Sequence, residues 1–117
     1  MDLRDLVQAL LRFDALTARQ WLADAARSGL LWSEVPQPLG LNETESALAA
    51  GVVELLASRA GQPPPAWTAA IPPASTRLYL VRAAATMPRL KAACEQVGPE
   101  PLRRRGLLAP PDFLTIA

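Results

Sequence analysis

Proline constrains this chain more than any other residue. Twelve prolines fall in the gaps between the apolar-periodic segments, and none interrupts a segment beyond its first turn. Proline lacks an amide proton and clashes with the preceding helical turn, so each one marks where a helix cannot run. The cuts fall at residues 36–38, 63–65, 72–73, 99–101 and 110–111. The intervals between them are rich in Ala, Leu and Arg. Val and Ile, which strands prefer, are few. The chain therefore reads as an all-α, or nearly all-α, fold of four to five short helices with Pro-rich connections. At 117 residues it has the length of a single helical domain with one core. Aromatics make up only 5%, so Leu and Ala must build that core.

Local signals place the helices. The first runs from about Leu3 to Phe13, capped by Asp2, with Leu3, Leu6, Val7 and Leu10 on one face. The second starts at Asp14 or at Thr17. Thr17 with Gln20 fits a capping box, and Leu16 with Trp21 fits the hydrophobic staple that accompanies one. Gly29 ends it. Residues 30–41 form an apolar, proline-bearing loop expected to lid the core. Asn42 caps the third helix with Glu45 in the capping-box position, and Leu48, Val52, Leu55 and Leu56 make its stripe, facing Leu6, Leu10 and Leu22. Residues 77–81 are the one candidate strand, although they could equally open a helix through Ala85. Thr86 is expected to cap the fourth helix, with Pro88 in its first turn and Leu90, Cys94 and Val97 on its buried side. The tail 107–116 is too apolar to be free and should dock on the core or on a partner.

The residue inventory argues against catalysis. With no histidine, the commonest general base and metal ligand are missing. One cysteine, Cys94, gives no zinc spacing and no internal disulfide. The carboxylate pairs Asp2/Asp5 and Glu43/Glu45 lie in first helical turns, where acidic groups oppose the helix dipole. The serines have only Lys91 as a base to activate one. No phosphate-cradling glycine loop is present. No cofactor, metal or small-molecule substrate is expected, and the chain reads as non-enzymatic. No window approaches the length of a membrane span, no signal peptide is evident, and the lone cysteine fits a reducing, cytoplasmic compartment.

Interaction is the remaining class. Trp32 and Trp67 neighbour proline-rich segments and either stack within the domain or anchor an interface. Arg103, Arg104 and Arg105 form the densest charge cluster. Adjacent arginines on one helical turn point apart, so a solvated cluster is the first expectation, a salt-bridge belt the second and phosphate binding the third. Phe113 belongs to the apolar tail. Charge is uneven: residues 1–61 hold five basic and eight acidic groups, and residues 62–117 hold seven basic and three acidic. Pro36 and Pro38 forbid the recognition helix of a helix-turn-helix at residues 17–40.

From residue 46 onward, a Leu/Ala-rich helix ends at a glycine. Pro-Pro-Ala-Trp67, Leu-Tyr79-Leu and Pro101-Leu-Arg-Arg-Arg105 follow, with an apolar end. This ordering resembles a class of short bacterial helical proteins, and residues 1–41 do not match it. The resemblance implies partners of a nucleotidyltransferase-like kind encoded alongside, as in toxin–antitoxin pairs, and carries no functional residues. The expectation is a bacterial protein–protein interaction module that binds itself or a neighbouring gene product. The alternative is a nucleic-acid-associated regulator using Arg77, Arg82 and Arg89 with Arg103, Arg104 and Arg105.

Overall fold

The computed structural model describes residues 2–115. Five helices, α1 (Leu3–Leu11), α2 (Ala15–Ser28), α3 (Glu43–Arg59), α4 (Pro88–Val97) and α5 (Glu100–Arg103), are joined by 3-10 turns at Trp32–Glu34, Ala66–Ala70 and Arg82–Ala85. Two short strands, β1 (Leu78–Tyr79) and β2 (Leu107–Leu108), pair in parallel with Leu78 opposite Leu107 and Tyr79 opposite Leu108. The fold is mostly α with one two-stranded ladder. A parallel pair needs a crossover, and α4 with α5 supplies it.

The capping residues sit where their chemistry requires. Glu45 N–H donates to the Asn42 side chain at 2.8 Å while Asn42 N–H donates back to the Glu45 carboxylate at 2.9 Å. Asp2 and Asp5 form the same reciprocal box on α1. The first turns of both helices thus use their acidic residues to hold backbone donors.

Helix α3 is the centre. Every residue from Ala47 through Ala57 is buried, so the helix is enclosed all round and the expected stripe is only part of its contact. Helix α1 packs on it through Leu6, Val7 and Leu10, and α5 crosses it at Gly51. A methyl group there would lie 2.7 Å from Leu102 Cδ2 and 3.1 Å from the Pro101 carbonyl. The missing side chain is what brings the backbone of α5 against α3.

Two open choices are decided and three local expectations are corrected. Asp14, not Thr17, caps α2: its carboxylate accepts from Thr17 N–H at 3.1 Å and Thr17 Oγ at 2.7 Å. Those hydrogen bonds hold the Asp14 carboxyl below its ordinary value. Helix α1 ends so close to Asp14 that no chain is left for a separate start at Thr17, and Leu16 is 76% exposed, so no staple forms. Met87 takes the N-cap of α4, because the 3-10 turn at Arg82–Ala85 absorbs Thr86, whose hydroxyl donates to the Ala83 carbonyl. Val97 is 58% exposed at the end of α4, whereas Cys94 is fully buried as expected. Residues 78–79 are strand, and the chain turns into a 3-10 helix only at Arg82.

The apolar tail packs. Leu107, Leu108, Ala109 and Phe113 are buried, and Arg59 on α3 donates to the Phe113 and Pro111 carbonyls. Ile116 lies outside the described residues.

Candidate interaction groove

Of the three conspicuous arginines, Arg105 is turned inward, while Arg104 stays half exposed. Helix α5 stops at Arg103, so Arg104 and Arg105 lie in the turn that follows and converge on one carboxylate. Arg105 is buried and reaches both Glu54 oxygens, at 2.5 and 3.2 Å, the Thr68 carbonyl at 2.8 Å and the Pro101 carbonyl at 3.1 Å. Arg104 donates to the same Glu54 oxygen and lies 3.9 Å from Glu100. Arg103 donates to the Gln96 carbonyl. The solvated cluster expected first is therefore replaced by an ion-pair network centred on the buried Glu54 and Arg105, with Arg104 at its exposed edge. Burial works to raise the Glu54 carboxyl, but hydrogen bonding to Arg105 and the two guanidinium charges hold it below its ordinary value. Its sequence signal was Glu54 itself, an acid inside an otherwise apolar run, which implies a counter-ion brought from elsewhere.

The remaining candidates are also occupied within the chain. Trp32 is buried and tilts against Trp21 at 6.3 Å between ring centroids. Trp67 donates its indole N–H to the Val35 carbonyl at 2.8 Å. Phe113 is buried in the packed tail. Trp32 and Phe113 are buried and Trp67 is half-buried, so packing within the chain accounts for most of their surface.

What these residues hold in place is the loop 30–41. Trp67 fixes it at Val35. The Gln62 side chain accepts from Trp32 N–H at 2.9 Å, and the Arg4 guanidinium on α1 donates to the Leu39 carbonyl. Pro36 and Pro38 restrict the backbone between those anchors. Trp32 and Val35 point into the core, as expected of a lid. Leu31 and Leu39 do not: they are 53% and 79% exposed. A loop pinned at three points holds these two leucines outward in defined positions.

Between this loop and helices α1 and α2 lies a groove of about 630 Å³. Leu31 and Leu39 line it with Trp21 and Val35. Its acidic side chains are Asp2, Asp24 and Glu34, and Arg4 is its one basic group. Part of that acidity is already engaged: Asp2 caps α1, and Asp24 pairs with Arg27 across one helical turn. The balance nevertheless stays acidic: Asp2, Asp24 and Glu34 against Arg4 and the adjoining Arg27 leave one net negative charge. A second groove, of about 490 Å³, sets Asp14 and Asp112 against Arg19 and Arg82 and so has no net sign.

Sites of other chemistry are sparse. Among the described residues no three His, Cys, Asp or Glu side chains gather as metal ligands. Burial pushes the Cys94 thiol up, away from the reactive thiolate. No helix among the described residues is long and apolar enough to cross a membrane. No family model, curated protein or solved structure matches the chain. A lid over the core accounts for Trp32 and Val35 but not for Leu31 and Leu39, since periodicity cannot separate inward from outward positions in a proline-bearing loop.

Proposed function

We propose that this chain is a non-enzymatic protein-interaction module of a bacterial cytoplasm, and that the groove between the 30–41 loop and helices α1 and α2 receives its partner. The observation that carries the reading is Leu39, a leucine 79% exposed on a loop that Arg4, Gln62 and Trp67 hold still. Apolar side chains held in place beside a concave surface suit docking, because little conformational freedom is lost on binding. The acidic balance of the groove selects a segment that carries basic groups beside its apolar anchor. A neighbouring gene product is one source of such a segment.

The alternative of nucleic-acid binding loses its strongest group. Arg104 and Arg105 are engaged with Glu54, and an acid-lined groove repels phosphate. We therefore favour a protein partner.

The test is affinity purification from the native host with wild-type, Leu39→Asn and Leu16→Asn chains as baits. Leu16 is a similarly exposed leucine that does not line the groove. A partner retained by wild type and Leu16→Asn but lost from Leu39→Asn supports the reading. A partner indifferent to Leu39, or lost through Leu16, overturns it.

A further inference from the structure

The groove asks for an apolar knob flanked by basic groups, and the chain itself carries one. Met87 is 53% exposed at the start of α4, in the basic half of the molecule. Arg89 and Lys91 follow it within the first helical turn, and Arg82 opens the 3-10 turn before it. All three basic side chains are exposed. Arg82 stacks on the Phe13 ring at 5.0 Å and Lys91 lies 5.8 Å from the Tyr79 ring centroid, so both retain their charge for a further contact.

This helix start breaks two local rules together. Met87 offers no side-chain cap to the first backbone N–H groups, and the first turn holds no acidic residue. Arg89 and Lys91 instead add positive charge where the helix dipole is already positive. Helices α1 and α3, in contrast, each place an acid there. An acidic surface brought against Met87 would relieve both faults.

We propose that the occupant of the groove is a second copy of this chain, docking its Met87 turn head-to-tail between Leu31 and Leu39. This inference rests on the functional reading above and names its partner. Charge complementarity carries it. The lining of the groove is acidic and the Met87 turn is basic, in a chain whose first 61 residues are net acidic and whose remainder is net basic. Groove and knob share no residue, so each copy keeps one free groove and one free knob after pairing. Such a contact is heterologous, and it grows into rings or chains unless one end is blocked. Asp2, Asp24 and Glu34 would meet Arg82, Arg89 and Lys91 around a methionine seated against Trp21 and Leu39. The charges at the rim set register and association rate, and they make the contact sensitive to salt.

Sedimentation of the purified full-length chain tests this over a wide concentration range at low and high salt. Wild type should increase in average mass with concentration, less so at high salt. Leu39→Asn removes the apolar lip without adding charge, and Met87→Glu sets acid against acid. Each variant alone should stay at one chain. An equimolar mixture restores one native groove facing one native knob, so its mass should rise to two chains and no further. Leu31→Asn repeats the groove arm should Leu39→Asn fail to fold. A wild-type chain that remains monomeric overturns the inference, as does association by Met87→Glu equal to wild type. A monomer that still captures a different protein through Leu39 would remove self-docking and leave the groove in place. A monomer with no Leu39-dependent partner would remove both.

Discussion

Two regions of this molecule handle charge and apolar surface in opposite ways. Between α3 and α5, a carboxylate and a guanidinium are drawn out of water and matched oxygen to nitrogen. Between α2 and the 30–41 loop, leucines stay in water and the acids outnumber the base beside them. A buried charge is tolerated only when its partner is present in the same chain. An exposed apolar lip has no such completion within the described residues. The densest charge cluster of the sequence thus contributes a buried structural pair through Arg105, and the surface proposed for recognition is an unobtrusive proline-bearing loop.

The sharpest way to break this comparison is to unpair the interior. Glu54→Gln would leave Arg105 charged and buried without a counter-ion, and should cost about 3–5 kcal/mol in chemical denaturation. A loss near zero would mean water already reaches the pair, and the contrast with the groove would vanish. Leu55→Ala on the same helix should cost about 2–5 kcal/mol by truncation of a buried leucine. A Tm unchanged from the parent would place that helix face elsewhere.

Acid sharpens the same point. The folded-state pKa of Glu54 is depressed, so its contribution is present above the unfolded carboxylate pKa and is lost as pH falls through the folded value. Stability measured downward from neutral pH should begin to fall near the ordinary carboxylate range, about 4, and continue below it. Glu54→Gln should flatten that part of the profile. An identical slope in the variant would assign the acid sensitivity to other carboxylates.

The smallest effect on stability belongs to the groove. Leu39→Asn and Leu31→Asn should each shift folding stability by no more than about 0.5 kcal/mol, as exposed positions do. A large loss from either would show that the lip belongs to the core and is not held out for a partner.

Much of the fold was legible from proline placement and capping chemistry. Asp2, Asn42 and Glu45 announce helix starts because their side chains must satisfy backbone donors, and the α3 residues announce burial by composition. The end of α1 was less legible. Phe13 adopts a left-handed φ of 57° where glycine is usual, so the end could not be read from residue type. The same position after α3 is filled by Gly61, with φ 68°, and a glycine there is legible as a helix end. The short ladder of Leu78 with Leu107 joins segments far apart in sequence, and no local period encodes it. The buried ion pair and the groove were hidden for a related reason. Glu54 and Arg105 are 51 residues apart, so neither reveals the other without the close crossing of α5 over α3 at Gly51. Whether a loop leucine points in or out depends on anchors at Arg4, Gln62 and Trp67, which lie in three other segments.

The central claim is that the surface around Leu39 is where this protein meets another. A photo-crosslinking residue placed at position 39, and in a separate chain at position 16, tests it in the native host. The account predicts a discrete adduct from position 39, containing either a second copy or another protein, and none from position 16. Adducts from position 16 with none from position 39 would contradict it.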